Sequence, residues 1–168
     1  VRLHELPRGL GGEISPNGRY FATGSTFTNH LGKTYQFFIY DLRTGTIASQ
    51  LNLETDVDEI SWSPFSNKIA WTERSGYLKV MTVGNNRPDR VARIGTIRGS
   101  EEMIWLNSGR HIVTSQVIGS DLTVFDAKTL KVVRSVSGAG YVHETGQSHD
   151  GRYLVSVNND RRLIVWDT

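Results

Sequence analysis

An all-β fold built from four copies of a four-stranded antiparallel unit is what this 168-residue sequence predicts. Three observations predict it. A turn followed by a basic residue and an apolar run occurs four times. A short strand ending in an aromatic residue or Met recurs with nearly the same spacing. The intervals are β-branched and aromatic runs bounded by Gly, Asn, Asp and Ser, and no stretch of about 11 residues or more holds a helical period.

The turn reads Ser15-Pro16-Asn17-Gly18-Arg19, then Ser63-Pro64-Phe65-Ser66-Asn67-Lys68, Asn107-Ser108-Gly109-Arg110 and Ser148-His149-Asp150-Gly151-Arg152. Taking its end at 18, 67, 109 and 151 gives steps of 49, 42 and 42 residues. The second mark ends at Tyr40, Met81, Phe125 and Trp166, with steps of 41, 44 and 41. Two separate marks with one period define a repeat. The first repeat (8–53) holds a second strand at 19–23, a third at 35–40 and a fourth at 47–53. The next (54–98) holds strands at 59–62, 68–72, 77–81 and 91–97. The third (99–137) holds 102–105, 111–115, 122–125 and 132–136, and the last (138–168) holds 152–157 and 163–166. Gly18, Gly45, Gly109 and Gly151 fall in turns that favour positive φ. Four-stranded units of this length are the blades of a β-propeller. Residues 1–7 are expected to be a closing strand. They would complete either a four-bladed ring or, as favoured here, a blade of a larger ring of which this chain is a section.

The last repeat, Ser148-His149-Asp150-Gly151-Arg152-Tyr153-Leu154-Val155-Ser156-Val157-Asn158-Asn159-Asp160-Arg161-Arg162-Leu163-Ile164-Val165-Trp166-Asp167, resembles the WD40 repeat. The resemblance places Asp160, six residues before Trp166, where that family has a structural Asp, and implies a protein-binding propeller scaffold. No repeat carries a Gly-His dipeptide before its first strand, and one alone ends in Trp-Asp. YVTN-type and TolB-like propellers share the remaining pattern, and the run from Val124 to Val133 is similar to the YVTN type.

The composition, 38% hydrophobic and 21% charged with a net charge of +2, excludes a disordered chain. The sequence has no cysteine, so disulfides and thiolate chemistry are excluded, and an intracellular location is expected. No apolar run nears the roughly 20 residues of a membrane helix, so no membrane partner is expected. Gly-x-Ser-x-Gly, P-loop and His-Glu-x-x-His signatures are absent from the sequence, and Gly138-Ala139-Gly140 is a turn rather than a dinucleotide motif. The expectation is a protein that is not an enzyme and uses no cofactor. His143, Glu144, His149 and Asp150 are grouped in sequence but fall at opposite ends of one strand, so no metal site is expected. The basic run Arg87, Arg90, Arg93 and Arg98 lies on an edge strand, is interrupted by Asp89 and lacks interleaved aromatics, so nucleic acid is not an expected partner. Trp62, Trp71, Trp105 and Trp166 are expected to pack between blades.

Binding on a rigid scaffold resides in loops. The connections between repeats hold Glu54, Asp56 and Asp58, then Arg98, Glu101 and Glu102, then Tyr141, His143 and Glu144. The second-to-third-strand turns add Asn29, His30, Lys33, Glu73, Arg74, Asn159, Asp160 and Arg161. Of these, Glu54, Asp56, Asp58, Arg74, Glu101, Glu102, Tyr141, His143 and Arg161 are the candidate partner-binding set, and its acidic character fits a basic protein or peptide. Two functions follow: a non-catalytic protein- or peptide-binding scaffold, or an accessory gating or substrate-binding propeller attached to an enzyme domain outside this chain. The rest of a larger propeller or complex is a further expected partner.

Overall fold

A computed structural model describes residues 11–94, 102–115, 122–138 and 140–168. Regular structure among them is entirely β. Sheet 1 comprises β1 (Glu13–Ile14), β2 (Tyr20–Asn29), β3 (Gly32–Asp41) and β4 (Thr46–Leu53). Sheet 2 comprises β5 (Val57–Trp62), β6 (Lys68–Glu73), β7 (Tyr77–Thr82) and β8 (Arg90–Arg93). Sheet 3 comprises β9 (Met103–Trp105), β10 (His111–Ser115), β11 (Leu122–Asp126) and β12 (Val132–Val136), and sheet 4 β13 (Val142–Gln147), β14 (Tyr153–Asn158) and β15 (Leu163–Asp167). Each sheet is an antiparallel meander in chain order, and none closes on itself. The predicted closing strand at 1–7 lies outside the described residues, as does the end of the strand expected at 91–97.

One turn geometry recurs at the start of every second strand. The N–H of Ser15, Ser63, Leu106 and Ser148 donates to the carbonyl of Tyr20, Lys68, His111 and Tyr153, each at 2.9 Å. The residue three positions on, Gly18, Ser66, Gly109 or Gly151, has φ of 69, 57, 71 or 71°. The second turn therefore reaches the left-handed conformation at Ser66, not at Asn67. The structural steps are 48, 43 and 42 residues rather than 49, 42 and 42. A serine occupies the position that glycine fills elsewhere, and its hydroxyl accepts the Asn17 N–H of sheet 1's turn at 3.1 Å.

The first hairpin departs from expectation. Its strands were expected at 19–23 and 35–40. Both instead run for 10 residues, paired without a break from Tyr20↔Asp41 to Asn29↔Gly32, against 6 residues in β6 and β7. Thr26, Phe27, Thr28, Thr34 and Tyr35 are strand formers, so pairing continues until the Asn29 side chain accepts the Leu31 N–H at 2.9 Å and closes the turn.

Apolar residues alternating along the strands meet between sheets. Ala22, Phe37, Ile39 and Leu51 pack on Trp62, Ile69, Trp71 and Met81, with the Phe37 and Trp71 rings stacked at 4.8 Å. A second cluster joins sheets 2 and 3 through Ala70, Leu78 and Val80 against Met103, Trp105 and Phe125. A smaller one joins sheets 3 and 4 through Val113 and Leu122 against Val142 and Leu154. Trp62, Trp71 and Trp105 are buried in these seams, and Trp166 packs on the last of them. Each buried aromatic contributes on the order of 2–3 kcal/mol.

The first strands of successive sheets, β1, β5, β9 and β13, are spatial neighbours in chain order. Trp62 donates its N–H to Glu13 Oε2 at 3.2 Å and its indole N–H to the Glu13 carbonyl at 2.9 Å. Trp105 N–H donates to Ser61 Oγ at 2.9 Å, and Gln147 bridges to the backbone of Trp105 and Asn107 at 3.0 and 2.8 Å. Asp160 is exposed and holds no bond in its turn; Asn158, buried, accepts the Arg162 N–H at 2.9 Å instead.

Candidate functional site

A cleft of about 310 Å³ opens between sheets 1 and 2 at the end where β4 passes to β5. Its walls are Gly11 and Gly12 just before β1 and Glu13 within it, Gly24, Thr26 and Tyr35 from the long hairpin, and Asp56, Asp58 and Glu59 from the β4–β5 connection and β5. The connection is clipped to the β6–β7 turn. Arg74 N–H donates to the Asp56 carbonyl at 3.0 Å, and Ser75 N–H donates to Thr55 Oγ1 at 3.3 Å. The Arg74 guanidinium stands 3.5 Å from Asp58 and 3.8 Å from Asp56, and the Thr26 hydroxyl donates to the Asp56 carboxylate.

Carboxylates outnumber cations here. Burial pushes Glu59 up to about 7, and the charges of Glu102, Asp58 and Glu13 add to the effect. Burial also raises Asp58, against the pull of Arg74. Asp58 Oδ2 is buried with no hydrogen-bond donor. A positive charge entering the cleft would favour the ionised form of Glu59.

Asp56, Asp58 and Arg74 of the expected binding set are brought together here. Glu102 faces Glu59 from β9's approach and accepts the Thr145 hydroxyl at 3.3 Å. Glu54 is exposed and lines no part of the cleft. Tyr141 and His143 make an edge-on ring contact at 5.3 Å on sheet 4, and Arg161 is exposed in the β14–β15 turn with φ of 60°; none of the three lines the cleft. Glu101 and Arg98 lie outside the described residues. Glu73, expected in the loop set, is a buried residue: it accepts the Trp71 indole N–H at 3.0 Å and pairs with Lys79 at 2.7 Å.

Glu59, Glu13 and Thr26 were missed. Glu59, Glu102 and Glu144 each stand four residues before the turn-opening Ser63, Leu106 and Ser148, with Gly11 at the same place before Ser15. The repeat thus carried this signal once the turn was correctly aligned. Thr26 had none, because its place depends on the extended hairpin.

Within the basic run, Arg90 and Arg93 sit at opposite ends of β8, opposite Val80 and Tyr77. His143 and Glu144 lie near the start of β13, and His149 and Asp150 follow its end; no group of three or more potential metal ligands converges among the described residues. No helix among those residues is long and apolar enough to cross a membrane. No family model and no curated protein matches the chain.

Proposed function

We propose that the four sheets are blades of a WD40-like β-propeller and that the protein is a non-catalytic scaffold. In this reading it holds a basic segment of a protein partner at the cleft between its first two blades. The neighbouring first strands in chain order, joined by side-chain-to-backbone bonds at equivalent places, support the blade arrangement. One observation carries the binding reading: burial, with added repulsion from Glu102, Asp58 and Glu13, raises Glu59 to about 7, and Arg74 is the one cation paired at the cleft among the described residues. A lysine or arginine side chain would relieve that repulsion.

The test is titration of a labelled Lys/Arg-rich peptide by fluorescence anisotropy. Affinity should strengthen as pH rises from 5.5 to 8, because the ionised form of Glu59 attracts the cation, and should weaken with salt. Asp58→Asn with Glu59→Gln should lower affinity about tenfold at pH 8 and flatten the pH profile. Unchanged affinity in the double variant refutes the cleft as the site.

A further inference from the structure

We propose that the opposite end of the molecule carries a second docking groove, at the seam of sheets 2 and 3, that takes an acidic peptide segment with an apolar side chain beside its carboxylates. Different residues build it, so it stands whether or not the acidic cleft binds a basic partner. Strand direction puts the β5–β6 turn, the β7–β8 loop and the β11–β12 turn together at the end away from the β4–β5 connection. There Lys68 opens β6, Arg87 and Arg90 flank Asp89 at the end of the β7–β8 loop, and Lys128 stands in the β11–β12 turn. All five line one cavity of about 510 Å³.

The groove is cationic by construction. Asp89 is engaged as a strut: one carboxylate oxygen accepts the Thr82 N–H at 2.7 Å and the Thr82 hydroxyl at 2.6 Å, and the other accepts the Asn85 amide at 2.8 Å. Arg90 donates one guanidinium N–H to the Asp89 carbonyl at 2.7 Å, which leaves its other donors available. Lys68, Arg87 and Lys128 have no ion-pair partner among the described residues. Four like charges around one fixed carboxylate, set in a concave wall, focus a positive potential outward, and guanidinium forks match carboxylates.

The second feature is an apolar shelf. An adjoining hollow of about 300 Å³ shares Lys68 and Lys128 with the groove and contains Phe65. Phe65 is 72% exposed, although it is a large apolar residue in a turn. Its ring is laid from sheet 2's turn across Gly109 of sheet 3, where a Cβ would come within 2.6 Å of it. An aromatic held at one end of a cationic groove fits a peptide in which an apolar residue accompanies Asp or Glu. A nucleic acid would need a longer basic track and several stacking rings. Here the cations are confined to one seam, Asp126 precedes the Lys128 turn, and Phe65 is the lone aromatic on the shelf's exposed side among the described residues.

The test is anisotropy on this chain with two short labelled peptides, one alternating Glu and Leu and the other Glu and Ser, and with oligo-dT. The Glu/Leu peptide should bind most tightly. Arg87→Glu with Lys128→Glu, both exposed positions, should weaken it about tenfold or more, and Lys128→Gln should act in the same direction by less. Phe65→Ser should weaken the Glu/Leu peptide several-fold and leave the Glu/Ser peptide unchanged. Circular dichroism confirms that each variant keeps its β spectrum. Equal binding by the charge-reversed protein, or tighter binding of oligo-dT than of the Glu/Leu peptide, overturns the proposal.

Discussion

Glu59 shows how one side chain can couple stability to pH. Its carboxyl is raised from an ordinary 4.5 to about 7 by burial and by the facing charges of Glu102, Asp58 and Glu13. A raised acid binds its proton more tightly in the folded state, so stability is fully present below the unfolded pKa and is lost as pH rises from about 4.5 through 7. The shift corresponds to on the order of 1–3 kcal/mol once partial solvent contact is allowed for. Glu59→Gln should therefore leave stability at pH 4 nearly unchanged and raise it at pH 8, removing most of the slope between them in urea titrations. A variant with the parent slope would show that the Glu59 carboxyl is not raised in the folded state.

At the scale of single elements, two glycines separate backbone strain from close packing. Gly18 has φ of 69° and open space where a Cβ would stand, so Gly18→Ala should cost about 1–2 kcal/mol from the left-handed backbone alone. Gly24 has no positive φ, yet a Cβ there would lie 2.9 Å from Val57 Cβ, at the meeting of β2 and β5. Gly24→Val should act through the seam instead, forcing sheets 1 and 2 apart, destabilising by about 1–3 kcal/mol and altering the adjacent cleft. Tryptophan fluorescence distinguishes them, because Trp62 and Trp71 lie in that seam: Gly24→Val should shift the native emission, and Gly18→Ala should leave it unchanged. The long first hairpin belongs to this scale too. Alternating strand formers on both sides of residues 30–31 extend it, and only the register of the paired strands shows how far the pairing runs.

Across the whole molecule, cohesion is uneven. Among the described residues, ten buried apolar side chains join sheets 2 and 3 and eight join sheets 1 and 2, but five join sheets 3 and 4. Among the described residues sheet 4 has three strands, and its last strand β15 exposes Leu163 and Val165. The least buried unit opens first. In hydrogen exchange read by mass spectrometry, amides of β14 and β15 should exchange well before those of β6 and β7; equal protection would mean that the smaller seam holds as firmly as the larger ones. Charge is uneven as well. The acidic cleft and the cationic groove occupy opposite ends of the sheets, an arrangement that a net charge of +2 conceals.

The sequence by itself determined the all-β class and the approximate places of most strands and turns, but not the length of the first hairpin, the left-handed Ser66 or the strands β1 and β13. What it determined depends on short-range causes: alternation with period two, β-branched side chains, and residues that tolerate positive φ. It also determined that Asp56 and Arg74 belong to loops at one end, because strand direction alternates along a meander; Asp58, expected beside them in a loop, lies in β5. Tertiary structure decided what the loops do. It buried Glu73 against Lys79 and turned Glu59 toward Glu102 across a sheet boundary. It set Arg90 and Arg93 at the two ends of β8 and gathered Arg87 and Arg90 with Lys68 and Lys128 from separate turns. The physical reason is range. Hydrogen-bonded pairing and turn chemistry act over a few neighbouring residues, whereas burial and electrostatic fields depend on which sheets come to face each other.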